Sequence, residues 1–214
     1  MQEEGKEKKA FYSQLRVRGA DLNAIYTELG HEYDVLVEKF GDNVPSTLLG
    51  LIESHFPEKE TRTALSVYEL GVGTGRFGKS LISAGFTEIE GIEPCEAFLK
   101  LAEKSGVYKD LKLRYGGELE KEWTGKFDIA VGCGVFMKNH VPPSGLDELV
   151  GAVKQGGVVA FPVREDEWVE LGFKEKAEAL EQEGKWKLLQ REEKANPDKG
   201  DVQWIYIHSL YLKL

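Results

Sequence analysis

At 214 residues the chain is long enough for one domain with a full core and short for two. Its 28 Lys+Arg against 37 Asp+Glu leave a net charge of −9, the opposite of the basic footprint of phosphate-backbone binding, which disfavours nucleic acid as a partner. Cys95 and Cys133 form no CxxC, and no run reaches the roughly 18 apolar residues of a membrane span, so a cytoplasmic protein with reduced thiols is expected.

The opening MQEEGKEKKA places charges where a secretory signal needs an apolar core. It lacks a periodic apolar pattern, and residues 1–12 are expected to be a disordered tail. From about Ser13 to His55 the chain reads as helices, with Leu22, Ile25, Tyr26, Leu29, Tyr33, Leu36, Val37 and Phe40 recurring at three- and four-residue steps. Gly41, Asn43 and Pro45 break this face before a helix over Thr47 to His55. The expected organisation is a single domain over 13–214, with a helical cap at 13–60 and a core at 61–214.

Strand-like and helix-like segments then alternate: Leu65 to Leu70, Phe77 to Ala84, Glu88 to Ile92, Glu96 to Lys104, Leu111 to Tyr115, Phe127 to Val131, Leu146 to Lys154, Val158 to Val163. A parallel sheet with crossover helices requires this alternation. After a charged helix over about Asp166 to Glu183, the strand-like segments Trp186 to Arg191 and Val202 to Leu214 flank the turn-rich ANPDKGD. They can close the sheet as an antiparallel hairpin. The fold class is therefore α/β, a Rossmann-like doubly wound sheet of seven mostly parallel strands with that hairpin and the helical cap.

Chemistry concentrates in ALSVYELGVGTGRFGKSL, where a strand ends and a glycine-spaced turn opens into a helix. Gly71, Gly73 and Gly75 allow positive φ and keep β-carbons away from a ligand, and the free N–H groups of the helix start favour a carboxylate or phosphate. Gly73 to Gly78 satisfies GxGxxG, and Glu93 lies about twenty residues on, where a ribose-binding acid belongs. NAD and S-adenosylmethionine both fit that spacing. Glu69, two residues before the first glycine, suits a ligand with a cationic amine and a sulfonium and sits badly beside a pyrophosphate, which favours the methyl donor.

ELGVGTGRFG, GIEP, KFDIAVGCGVF and VKQGGVVAFPV stand in that order across about residues 65–163. In that order they resemble the motifs of class I S-adenosylmethionine-dependent methyltransferases. GVFMKNHVPPSGLDELVGAVKQGGVVAF with the following REDEW is similar, more narrowly, to the methyltransferase-like proteins of the Williams-Beuren syndrome region type. The resemblance implies an enzyme that moves a methyl group to an acceptor, a small molecule or a protein. It puts Glu69, Gly71, Gly73 and Gly75 under the methionine part of S-adenosylmethionine, Glu93 on the ribose, Pro94 beside the adenine, and Cys133 and Gly134 near the reacting methyl. Many members carry aspartate at Glu69 and cysteine at Val72. Glu118 is the nearest candidate for the acid that meets the adenine amine.

Tyr26, Tyr33, Phe136, His140, Arg164 and Trp168 are candidates for substrate or lid contact. His140 in KNHVPP can take a proton or can simply shape a proline-rich loop; Tyr26 and Tyr33 can cover the cofactor or only pack; Trp168 reads equally as core. Cys95 near a helix start reads as structural. His31, His55 and His208 match no metal spacing, and no metal is expected. A non-catalytic S-adenosylmethionine binder that contacts another protein through its cap is the reading from a different class.

Overall fold

The computed structural model describes residues 2–17, 21–40, 42–196 and 204–214, with residues 2–5 as backbone alone. Helices α1 (Gln2–Gln14), α2 (Leu22–Leu29) and α3 (Glu32–Lys39) form the cap. Asp21 starts α2 by accepting the Ala24 N–H at 3.0 Å, which satisfies one of the orphan donors of the first turn. Residues 1–12, expected to lack structure, are helical from Gln2. Phe11 anchors this helix by packing with Leu15, Val37 and Phe40.

The expected cap range also includes α4 (Val44–His55) and the single turn α5 (Lys59–Arg62). Leu48 and Ile52 of α4 instead pack against Val67, Ile89 and Ile129, so α4 is a layer on the sheet. Its start falls at Val44, with Pro45 in the first turn where a missing N–H costs nothing. Gly41, one of the expected breakers, lies outside the described residues.

The core continues as β1 (Ser66–Leu70), α6 (Arg76–Ala84), β2 (Glu88–Glu93), α7 (Glu96–Ser105), β3 (Asp110–Leu113), β4 (Phe127–Val131), α8 (Gly145–Ala152) and β5 (Val153–Arg164). It closes with α9 (Glu165–Glu170), α10 (Phe173–Gln182), β6 (Trp186–Ala195) and β7 (Ile205–Lys213). The seven strands form one sheet in the order β3-β2-β1-β4-β5-β7-β6. β1 to β5 pair in parallel, and β7 joins β5 and β6 antiparallel, as the hairpin reading required. The order reverses between β1 and β4, and a crevice opens there at the carboxyl ends of the strands.

Alternation along β1 sends Val67 to one apolar layer and Tyr68 and Leu70 to the other, so both faces of the sheet are covered. The charged helix expected over 166–183 is interrupted at Gly172, whose φ of 84° no helix interior accepts. Residues 197–203, between β6 and β7 in sequence, lie outside the described residues. No described helix is long and apolar enough to cross a membrane.

Candidate cofactor site

β1 ends at Leu70, and the backbone turns through Gly71 (φ 72°), Gly73 (φ 57°) and Gly75 (φ 88°) into α6. A Cβ on Gly71 would meet Val135 Cγ1 at 2.4 Å, whereas one on Gly73 would meet nothing within 4 Å. Gly73 borders open space. Gly75 faces elsewhere: its Cβ would approach Ala102 Cα at 3.3 Å, so this glycine lets α6 pack on α7 and does not line the cavity.

Glu93, at the end of β2, is buried and fixes the loop. Its two carboxylate oxygens accept the Gly73 N–H at 2.8 Å and the Cys95 N–H at 2.9 Å. Burial raises its pKa and these two donors pull it back, with a net upward shift. Each oxygen retains a lone pair for a further donor.

The space beside Gly73 is a cavity of about 390 Å³ at the strand ends, roofed by Tyr26 and Tyr33 of the cap. Of the cofactor residues expected from sequence, Glu69, Gly71, Gly73, Glu93, Pro94, Cys133 and Gly134 line it. Glu118 does not. The turn at Gly116 and Gly117 is tied by the Gly117 N–H to the buried Glu148 carboxylate, which puts Tyr115 and Gly116 at the wall and carries Glu118 into a neighbouring groove with Lys121.

Glu69 is 1% exposed, and the Tyr108 hydroxyl donates to its Oε2 at 2.9 Å. Burial, with the nearby Glu93 carboxylate, pushes its pKa up to about 8 despite that bond. Burial likewise raises the Cys133 pKa and keeps it a thiol. Cys95 is buried with its Sγ 3.7 Å from Thr27 Oγ1, between core and cap, and does not line the cavity.

From the cap, Tyr26 lies 4.9 Å from the Phe98 ring and meets Tyr33 edge-on at 5.8 Å. His140 Nδ1 lies 3.0 Å from the Lys138 carbonyl, which can only accept, so the proton is on Nδ1. Nε2 then accepts the Tyr26 hydroxyl at 2.6 Å. Burial holds the His140 pKa below the usual histidine range, and the ring is neutral.

The remaining three candidates do not line the cavity. Phe136 is 2% exposed and packs edge-on against Phe161 and Phe173; Trp168 belongs to the same apolar layer. Arg164 turns to Asp166 and Glu167. The aromatic character of Phe136 and Trp168 is explained by that packing.

Sequence reading missed Asp42, Arg76, Phe98, Tyr115, Gly116 and Asn139, all in the lining. Arg76 carried a signal, since it follows the glycine loop directly as the first residue of α6. Asp42 carried none, because a loop far upstream delivers it.

Residues 68–161 match the family described as "Methyltransferase domain". Over 128 residues the chain is 30% identical to "Methyltransferase-like protein 27" of Homo sapiens, covering 58% of this chain and 51% of that protein. The chain thus spans about half the length of that relative, whose description gives the narrower resemblance weak support. In fold it is similar to a TehB-like SAM-dependent methyltransferase of Corynebacterium glutamicum, with a TM-score of 0.62 and 17% identity over 89% of this chain and 99% of that one. It is also similar to magnesium protoporphyrin IX methyltransferase of Synechocystis, solved with bound SAM, with a TM-score of 0.59 and 12% identity over 79% of each chain. In sequence over residues 68–161 and in fold, the chain is thus similar to class I S-adenosylmethionine-dependent methyltransferases.

Proposed function

We propose that the chain binds S-adenosylmethionine in this cavity and transfers its methyl group to a small-molecule acceptor. The observation that carries this reading is the bare backbone at Gly73 and Gly134. Both have positive φ, and a Cβ on either would meet no protein atom within 4 Å. A ligand can lie against them where any other residue would fill the space.

The rest of the lining fits the same ligand. Glu93 retains acceptor capacity for a ribose diol, with Pro94 beside it and Tyr115 and Gly116 across the nucleoside end. Glu69 and Arg76 offer opposite charges to the amine and carboxylate of the methionine part. Arg76 stands at the start of α6, where the helix dipole also favours an anion.

The cofactor, when bound, supplies a methyl group already activated on a sulfonium. The protein's residues orient it and exclude water. The Gly71 to Gly75 turn and Glu93 fix one wall, and Tyr26 and Tyr33 close the other. Orientation of this kind is worth about 7 to 11 kcal/mol in well-aligned intramolecular reactions. His140 has Nε2 engaged by Tyr26, so its part is to hold the cap down.

Glu69 suits a cationic amine better than the pyrophosphate of NAD, because only the amine stabilises its ionised form. The acidic net charge supports a small molecule over nucleic acid, and two free cysteines support a cytoplasmic setting. Calorimetry with S-adenosylmethionine, S-adenosylhomocysteine and NAD tests the reading. Binding of NAD alone would overturn it.

A further inference from the structure

On the cofactor assignment just proposed, one acid of the cavity is left without a counterpart. Among the described lining residues the carboxyls are Asp21, Asp42, Glu69 and Glu93, and the only guanidinium is Arg76. Asp21 is spent as the cap of α2, Glu93 on the loop and ribose, and Glu69 and Arg76 on the amine and carboxylate of methionine. Asp42 remains.

Its setting differs from that of a surface acid. It stands between α3 and α4 on the wall shared with Tyr33, Val37 and Pro45. Oδ1 accepts the Val44 N–H at 3.1 Å and the Asn196 Nδ2 at 3.3 Å, which fixes the carboxylate. No hydrogen bond within the described residues reaches Oδ2. Arg76 and Lys8 both act on it electrostatically; Lys8 donates to the Phe40 carbonyl at 3.3 Å and is not among the lining residues.

A second feature points the same way. The cavity that Asp42 lines is also walled by the aromatic side chains of Tyr26, Tyr33, Phe77 and Phe98. Aromatic faces attract cations through their quadrupoles, and a fixed carboxylate attracts them through charge. An anionic acceptor would meet repulsion here.

We propose that the acceptor carries a cationic nitrogen and that Asp42 is the residue that selects it. The cation is a recognition handle, held by the Asp42 carboxylate in the cavity that Tyr33 also lines.

The test incubates the full chain with methyl-labelled donor and a small-molecule cell extract. Unreacted donor is removed by chromatography, and labelled products are divided on a cation exchanger against a control without protein. Enzyme-dependent label is expected in the cationic fraction. Asp42→Asn keeps the acceptor for Val44 and Asn196, and should lower that product about tenfold or more, the scale of a lost charge-assisted hydrogen bond. Asp42→Glu should restore part of it, with S-adenosylhomocysteine affinity unchanged in both variants. Label in a neutral or anionic fraction, or equal cationic product from Asp42→Asn, overturns the inference and leaves the transferase reading standing. If Asp42→Asn failed to bind S-adenosylhomocysteine, the wild-type fractionation would still decide. No labelled product from protein that binds S-adenosylhomocysteine overturns the transferase reading itself.

Discussion

The Tyr26 hydroxyl donates to His140 Nε2 at 2.6 Å and so joins a cap helix to the loop after β4 across the top of the cavity. Asn139 adds a second tie by donating to the Val17 carbonyl at 2.9 Å, and Arg16 pairs with the buried Glu167 at 3.0 Å. Removing the first tie with Tyr26→Phe forfeits about 0.5 to 1.5 kcal/mol. Stopped-flow dissociation of S-adenosylhomocysteine should speed up by about 2- to 10-fold. The pH dependence has a definite sign. Protonation of His140 removes the Nε2 acceptor, and its pKa is already lowered, so the gap between wild type and variant should persist at neutral and alkaline pH and close only in acid.

The glycine loop gives a paired experiment. Gly73→Ala forces a side chain onto φ 57° but meets no protein atom, so the fold should lose only about 1 to 2 kcal/mol of backbone strain. Gly71→Ala adds a clash with Val135 Cγ1 at 2.4 Å and should lower the melting temperature further. Calorimetry should then show the reverse order for the ligand per unit of stability lost: Gly73→Ala, with its Cβ in the cavity, abolishes cofactor binding in a folded protein. Undiminished affinity in folded Gly73→Ala would mean that the cavity beside Gly73 is not where the cofactor lies.

The sheet was legible because its evidence is local. Apolar strands ending in glycine turns recur at crossover spacing, and the glycine loop carries its own geometry within a few residues. Glu93 was legible for the same reason, as its distance from Gly73 is set by one strand-helix-strand unit. Phe136 and Trp168 were harder, because a core aromatic and a cavity aromatic look alike until the sheet faces are assigned. Glu118 failed on register: two adjacent glycines and a distant carboxylate, Glu148, decide where that turn points. Asp42 was invisible, since its place depends on how the cap meets α4. The helix over residues 2–14 escaped because its few apolar side chains gain burial from residues far along the chain, among them Val37, Phe40 and Trp204.

Glu69 predicts a proton linked to binding. With its pKa pushed up to about 8, the free carboxyl is mainly protonated at pH 7. A cationic amine beside it favours the ionised form, so binding must release a proton below that pKa. Affinity for S-adenosylmethionine should rise with pH up to about 8 and then level off. Titrations at pH 7 in buffers of different ionisation enthalpy should report close to one proton released, and Glu69→Gln should report none. Equal proton release in both proteins would sink the assignment of Glu69 to the amine.

Glu148 supports the Tyr115 and Gly116 wall and is not itself among the lining residues. Its side chain has no exposure, and it accepts hydrogen bonds from Tyr68 Oη, the Arg114 guanidinium and the Gly117 N–H. Glu148→Ala strips three donors at once and leaves Arg114, at 17% side-chain exposure, without this buried partner. Breaking a buried pair from one side costs about 3 to 5 kcal/mol, and the loss should appear as a lower urea midpoint at constant slope. Glu148→Gln keeps one acceptor oxygen for Gly117 while losing the charge and the acceptor of Tyr68 and Arg114, so it should cost less than the alanine and leave the turn in place. The two variants then separate support of the fold from support of the site. Cofactor affinity should fall in folded Glu148→Ala, where the Gly116 wall is released, and hold in Glu148→Gln.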